Sequence, residues 1–135
     1  MTTRIYHNPA CSTSRDVLGI IRATGVEPEV VLYLETPPSR GELAELIAAM
    51  DLPPREVMRR KGTPMEELGY DLPQVSDDTL IDAMIEHPIM IERPIVVTQK
   101  GARLCRPVER VLEILDPPLA QPYVRERGAV VEPLR

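Results

Sequence analysis

One cysteine stands among small hydroxyl-bearing residues in the run Tyr6-His7-Asn8-Pro9-Ala10-Cys11-Ser12-Thr13-Ser14-Arg15, between an apolar strand-like piece and a segment of helical periodicity. A strand-to-helix turn of this kind directs unpaired amides and the positive end of the helix dipole at whatever sits there, whether a thiolate or a bound anion. A cysteine so placed tends to titrate low and to act as a nucleophile. The opposing reading is that Cys11 is a small buried apolar residue. Serines and a threonine are poor company for a core position, so the nucleophile is the stronger reading, with Ser12, Thr13 and Ser14 expected to supply N-cap oxygens. Cys105, beside Leu104 in a strand-like stretch, reads instead as core.

Spacing narrows the chemistry. A phosphatase-type loop needs arginine six positions after the cysteine, where this chain has Val17; a dithiol redox motif needs a second cysteine three positions on, where it has Ser14. Cys11 is therefore read as a monothiol that must borrow its second thiol from outside, glutathione being the obvious source. Planar guanidinium forks suit tetrahedral oxyanions better than ammonium groups do. Of the 16 basic residues 14 are arginine, an excess that codon usage accounts for, so only arginines in motifs count: Arg59 after a short helical piece, Arg93 before a proline and Arg106 after a hairpin. His7 is either a structural histidine or a group that tunes the thiol, and His87, before Pro88, reads as helix-end structure.

The elements that must position these groups follow from periodicity. Arg4 to Tyr6 reads as a strand broken at Asn8-Pro9. A helix with Val17, Leu18 and Ile21 on one face runs from Ser14 towards Gly25, and the apolar run Val30 to Leu34 reads as a strand buried on both faces. Ser39-Arg40-Gly41-Glu42 has capping-box spacing before Leu43, Leu46, Ile47 and Met50. A shorter helical piece at Arg55 to Arg60 and a helix from Ser76 follow. Two strands from Pro94 to Cys105 turn at Lys100-Gly101, and Pro107 opens a last helix. The order β-α-β, then helices, then β-β-α predicts an α/β, thioredoxin-like core with a mixed sheet and a helical insertion between its halves. By fold analogy a cis proline at Arg93-Pro94 then lies beside the first strand-to-helix loop.

At 135 residues the chain is long enough for one domain burying about 65–70% of its unfolded surface. A net charge of −5 and only four aromatic residues, all tyrosine, argue against nucleic acid or an anionic membrane as partner. The opening MTTRIYHNPA shows no apolar h-region and no apolar run approaches the roughly 18 residues a bilayer span needs, so a cytoplasmic protein is expected, in which the distant Cys11 and Cys105 form no structural disulfide.

The motifs "YHNPACSTSR", "YLETPP", "LIDAMIEHPI", "RPIVVT" and "GARLCRPVE", in that order, closely resemble the glutaredoxin-dependent arsenate reductases over about residues 4–115. The resemblance implies a single domain over residues 1–115, with the helical insertion at about 38–90; the tail at 116–135 lies outside it, and its Pro117, Pro118, Pro122 and Pro133 read as irregular chain, docked by Tyr123 or partly mobile. It implies that Cys11 attacks arsenate, that His7 and Ser14 help to activate the thiol, and that Arg59, Arg93 and Arg106 hold the oxyanion. It implies glutathione as co-substrate and glutaredoxin as partner, with no metal and no tightly bound cofactor. Ser12 stands where the family usually has glycine, and Arg60 adjoins Arg59. Two other readings stay open on the residues: a regulator of the same fold that binds RNA polymerase, and a glutathione-linked reductase of another substrate.

Overall fold

Four residues, Arg4–His7, make β1 before Asn8-Pro9 stops it, and α1 (Ser12–Ala23) carries the chain back to β2 (Glu29–Leu32), which pairs parallel to β1 from Arg4 opposite Glu29 to His7 opposite Leu32. The second half returns as a hairpin, β3 (Ile95–Thr98) and β4 (Gly101–Leu104), with β3 antiparallel to both β1 and β4. The sheet order β2-β1-β3-β4, three antiparallel or parallel pairings around a central β1-β3 pair, is the mixed sheet of the thioredoxin-like plan. The structure, a computed structural model, describes residues 2–135. Among them no helix is long and apolar enough to cross a membrane.

Three sequence expectations need correcting here. β2 is not buried on both faces: it lies at the edge of its sheet, Val30, Val31 and Leu32 are only half-buried, and the strand ends at Leu32. The hairpin loop is Gln99-Lys100 rather than Lys100-Gly101. Thr98 pairs with Gly101, the Thr98 hydroxyl accepts from the Lys100 amide at 3.0 Å, and Gly101 opens β4 at φ 138°, a conformation open to glycine and strained for other residues. The last helix is a 3₁₀ segment, Val108–Glu113, with Val108, Val111 and Leu112 buried.

The chain divides into two compact units, one running to Leu32 and resuming at Arg93–Arg135, the other Tyr33–Glu92. The second unit is helical. The Ser39 hydroxyl accepts from the Glu42 amide at 3.1 Å and so caps α2 (Arg40–Met50), which buries Leu43, Leu46, Ile47 and Met50 as their spacing requires. Ser76 does the same for α3 (Asp77–Glu86) by accepting from Thr79. The piece expected at Arg55 to Arg60 is shorter, a 3₁₀ turn over Pro54–Val57, because Met58 leaves it to form a bridge with Ile91.

In the first unit the core joins Ile5 and Val96 of the sheet, Val17, Ile20 and Ile21 of α1, and Cys105, Val108, Val111 and Ile114. Leu119 and Val131 of the C-terminal segment complete it. That segment is ordered by this packing. It forms two short paired strands, β5 (Tyr123–Val124) and β6 (Val130–Val131), and clasps α1. Asp16, only 2% exposed, accepts from Arg125 Nε at 2.9 Å and from the Glu126 amide at 3.1 Å, and Arg15 meets both Glu126 carboxylate oxygens at 2.7 and 2.9 Å.

Gly19 is where this clasp needs the absence of a side chain: a Cβ there would run into the Tyr123 hydroxyl and the end of its ring. Gly→Ala inside a helix ordinarily stabilises by about 1 kcal/mol. Here Gly19→Ala should instead destabilise by about 1 kcal/mol or more, the lower end for forcing extra volume into a packed contact, and should speed proteolysis between residues 118 and 128. Urea unfolding and limited proteolysis check both; a gain in stability would show that Tyr123 does not seat on α1.

Candidate active site

The loop that carries Cys11 is set by Asn8 and Pro9. The Asn8 carbonyl accepts from the Cys11 amide at 3.0 Å, closing a four-residue turn with proline in its second position, and the Asn8 side-chain oxygen accepts from the Ala10 amide at 3.0 Å. Both are the places where turns use these residue types. The turn makes Cys11 itself the N-cap of α1, with extended backbone angles and no capping hydrogen bond from its thiol. This corrects the expectation that Ser12, Thr13 and Ser14 supply capping oxygens. Ser12 and Thr13 are the first two helical residues, and the fully buried Ser14 hydroxyl is turned back onto the loop, where it accepts from the Asn8 amide at 3.1 Å and lies 2.6 Å from His7 Nδ1. The direction of that last bond follows the ring's tautomer.

Strand register brings the arginines to the same place. The bond from the Cys105 amide to the Pro94 carbonyl, 2.9 Å, extends the β3-β4 ladder past Ile95 and Leu104, so Arg93 and Arg106 are the next residues to face each other. On the other side the β1-β3 register, Tyr6 opposite Ile95, carried two residues further puts Arg93 level with Asn8. The Arg93-Pro94 and Arg106-Pro107 peptides are both cis. Arg106 Nη1 lies 3.7 Å from Cys11 Sγ and 3.3 Å from the Arg93 carbonyl, to which it donates.

Cys11 is half-buried. Burial alone would push its thiol up; the Ser14 amide, the Arg93 guanidinium and the Arg106 guanidinium outweigh that and hold it below the ordinary cysteine range. The thiolate thus takes over the capping role that the thiol leaves unfilled. Cys105 is the contrary case, fully buried in the core, its thiol pushed far up by burial. His7 is buried as well; burial first, then the charges of Arg22 and Arg15, lower its pKa, so the ring is neutral at neutral pH.

Cys11, Ser14, His7, Arg93 and Arg106 are therefore brought together in one unit. Arg59 belongs to the helical unit, where Nη1 pairs with Glu92 at 2.9 Å, Nε donates to the Lys61 carbonyl at 3.1 Å, and the side chain is 17% exposed; Arg60 is exposed and pairs with Glu66. Sequence reasoning missed Asn8 as the residue that shapes the turn, although Asn-Pro is a recognisable turn signal. It also missed Asp16, Arg125 and Glu126, which no periodicity links.

The sequence pattern of the ArsC family matches residues 6–114. The chain belongs to the ArsC family. It is 55% identical over 131 residues to an arsenate reductase of Rhizobium meliloti (strain 1021), covering 97% of this chain and 94% of that protein. It is 53% identical over 127 residues to one of Escherichia coli (strain K12), covering 94% and 90%. Among solved structures, an arsenate reductase from Vibrio cholerae superposes with a TM-score of 0.81 at 49% identity, over 85% of this chain and 98% of that one. The part of the chain that matches the ArsC family contains Cys11, Arg59, Arg93 and Arg106; Arg125 and Glu126 lie beyond it.

Two titrations follow. Alkylation of the native protein by iodoacetamide should modify Cys11 alone, with an inflection below the roughly 8.5 of a free cysteine, and Arg106→Gln should move that inflection up; an inflection at or above the free value in the wild type would contradict the geometry. Because the folded chain disfavours the charged form of His7, the unfolded chain takes up this proton first on acidification, so His7 costs stability as the pH falls below about 6.5. His7→Asn should flatten the loss of stability between pH 7.5 and 5.5, measured by urea unfolding at each pH.

Proposed function

We propose that this protein reduces arsenate to arsenite, with Cys11 as nucleophile and glutathione and glutaredoxin as the sources of the remaining thiols. The observation that carries the proposal is a half-buried cysteine whose thiolate is favoured by the Ser14 amide, Arg93 and Arg106, with Arg106 Nη1 3.7 Å from its sulfur, in a member of a family whose relatives are arsenate reductases.

The chemistry runs as a balanced sequence. The Cys11 thiolate attacks arsenic(V), forming a sulfur–arsenic bond while one oxygen leaves as water after taking up protons. Arg93 and Arg106 serve as the oxyanion ligands within the unit that carries Cys11, and their guanidinium groups stabilise the negative charge that builds up during attack. An external thiolate then attacks the Cys11 sulfur. The sulfur–arsenic bond breaks with its electron pair on arsenic, which becomes arsenic(III), and Cys11 is left in a mixed disulfide with the external thiol. Glutaredoxin, with a further thiol, returns Cys11 to the reduced state. No resident cofactor is needed for these steps, and the dependence on reduced glutathione suits the cytoplasm. His7 acts through Ser14, holding the first turn of α1 in the position from which the Ser14 amide faces the sulfur.

Purified protein supplied with arsenate, glutathione and glutaredoxin should drive NADPH oxidation through glutathione reductase. Cys11→Ser should reduce the rate to background, and Cys105→Ala should leave most of it. Arg106→Gln should raise the KM for arsenate about 10- to 100-fold, the loss of one charge-assisted hydrogen bond of about 1.5–3 kcal/mol. Absence of arsenate-dependent oxidation with the wild type would overturn the assignment.

A further inference from the structure

A cleft on the first unit is lined by Thr13, Arg106, Pro107, Val108 and Arg125. One wall, Arg106, is the residue that reaches the Cys11 sulfur, and the other basic wall, Arg125, comes from the C-terminal segment, which the mechanism above does not use. We infer that this cleft is the subsite for a carboxylate of the external thiol, with Arg125 as its specificity-determining residue. The inference rests on the proposed need for such a thiol.

Three observations support it. Arg125 is held from behind: its Nε donates to the buried Asp16 carboxylate, which also accepts the Glu126 amide, so the guanidinium is fixed in place before any ligand arrives. A preorganised planar fork is the group best matched to a carboxylate, because little side-chain freedom remains to be lost on binding. Thr13 adds a hydroxyl at the start of α1, where the helix dipole favours an anion. Arg106 both lines the cleft and places Nη1 3.7 Å from the Cys11 sulfur, so a small thiol anchored at Arg125 is held beside the residue that reaches the atom on which it must act. Neutral thiols would lack the anchor. Glu126 does not neutralise the cleft, being engaged with both available nitrogens of Arg15.

The test uses disulfide exchange, which needs no arsenate. The Cys11 thiolate attacks glutathione disulfide, forming a mixed disulfide and releasing one glutathione thiolate; the uncharged hydroxyethyl disulfide reacts in the same way without carboxylates. The ratio of the two rate constants should fall at least fivefold in Arg125→Gln and equally in Asp16→Asn/Arg125→Gln, which removes the buried carboxylate together with its partner. Alkylation by the neutral reagent iodoacetamide should stay at the wild-type rate, marking an intact loop. In the wild type, S-methylglutathione, which keeps both carboxylates and cannot react, should slow that alkylation severalfold. An unchanged ratio in a variant that alkylates normally, or no protection by S-methylglutathione, would overturn the subsite. A wild type that reduces no arsenate while showing the expected ratio would overturn the arsenate reading and leave the subsite standing.

Discussion

The placing of the site's two arginines depends on the hydrogen-bond ladder of β3. Pairing on both sides with β1 and β4, it fixes Arg93 level with Asn8 and opposite Arg106, so that two guanidinium groups flanking one hairpin converge on a loop from the start of the chain. Side chains alternate faces along a strand, and a slip of one residue would turn them the other way. The bond from Cys105 to Pro94 locks the ladder at the end that matters, and the Thr98 hydroxyl, accepting from Lys100 while donating to the Ile114 carbonyl at 2.6 Å, secures the other end. The approach of Arg93 and Arg106 to the thiol depends on this register.

On that frame the loop has to reconcile two opposing demands. Half-burying a thiol in protein favours its neutral form, yet a nucleophile must be ionised. The Asn8-Pro9 turn meets the first by drawing Cys11 in against the sheet, and the Ser14 amide with Arg93 and Arg106 meets the second. The two cysteines of the chain make the comparison internally: the buried Cys105 donates to the Arg103 carbonyl and is held protonated by burial. His7 belongs to the supporting layer, because it is neutral and its bond runs to Ser14.

Much of this was legible in the sequence, for identifiable reasons. That Arg93 and Arg106 return to the Cys11 loop followed from the expected fold, whereas their pairing did not: a loop at Lys100-Gly101 would set Arg93 opposite Val108, and only the observed loop at Gln99-Lys100 sets it opposite Arg106. Ser39 and Ser76 begin helices because local hydrogen bonds from capping hydroxyls do not depend on tertiary context. β2 was misread because an unbroken apolar run does not say which neighbour a strand lacks. The C-terminal segment was legible only in the docking of Tyr123, for a different reason. Its proline content reads as irregular chain, whereas what orders it is a pair of contacts to α1, Asp16 with Arg125 and Gly19 with Tyr123, separated by more than a hundred residues of sequence.

The first unit is discontinuous along the chain, its opening 32 residues waiting on the segment from Arg93 onwards. During synthesis β1 and β2 emerge as a two-stranded pair with α1, too few strands to be stable alone, while the helical unit has local contacts enough to form first. Throughout that interval Cys11 has neither Arg93 nor Arg106 beside it and is an ordinary thiol. The ionisation of Cys11 therefore requires β3 and β4 in place, which couples its reactivity to completion of the four-stranded sheet.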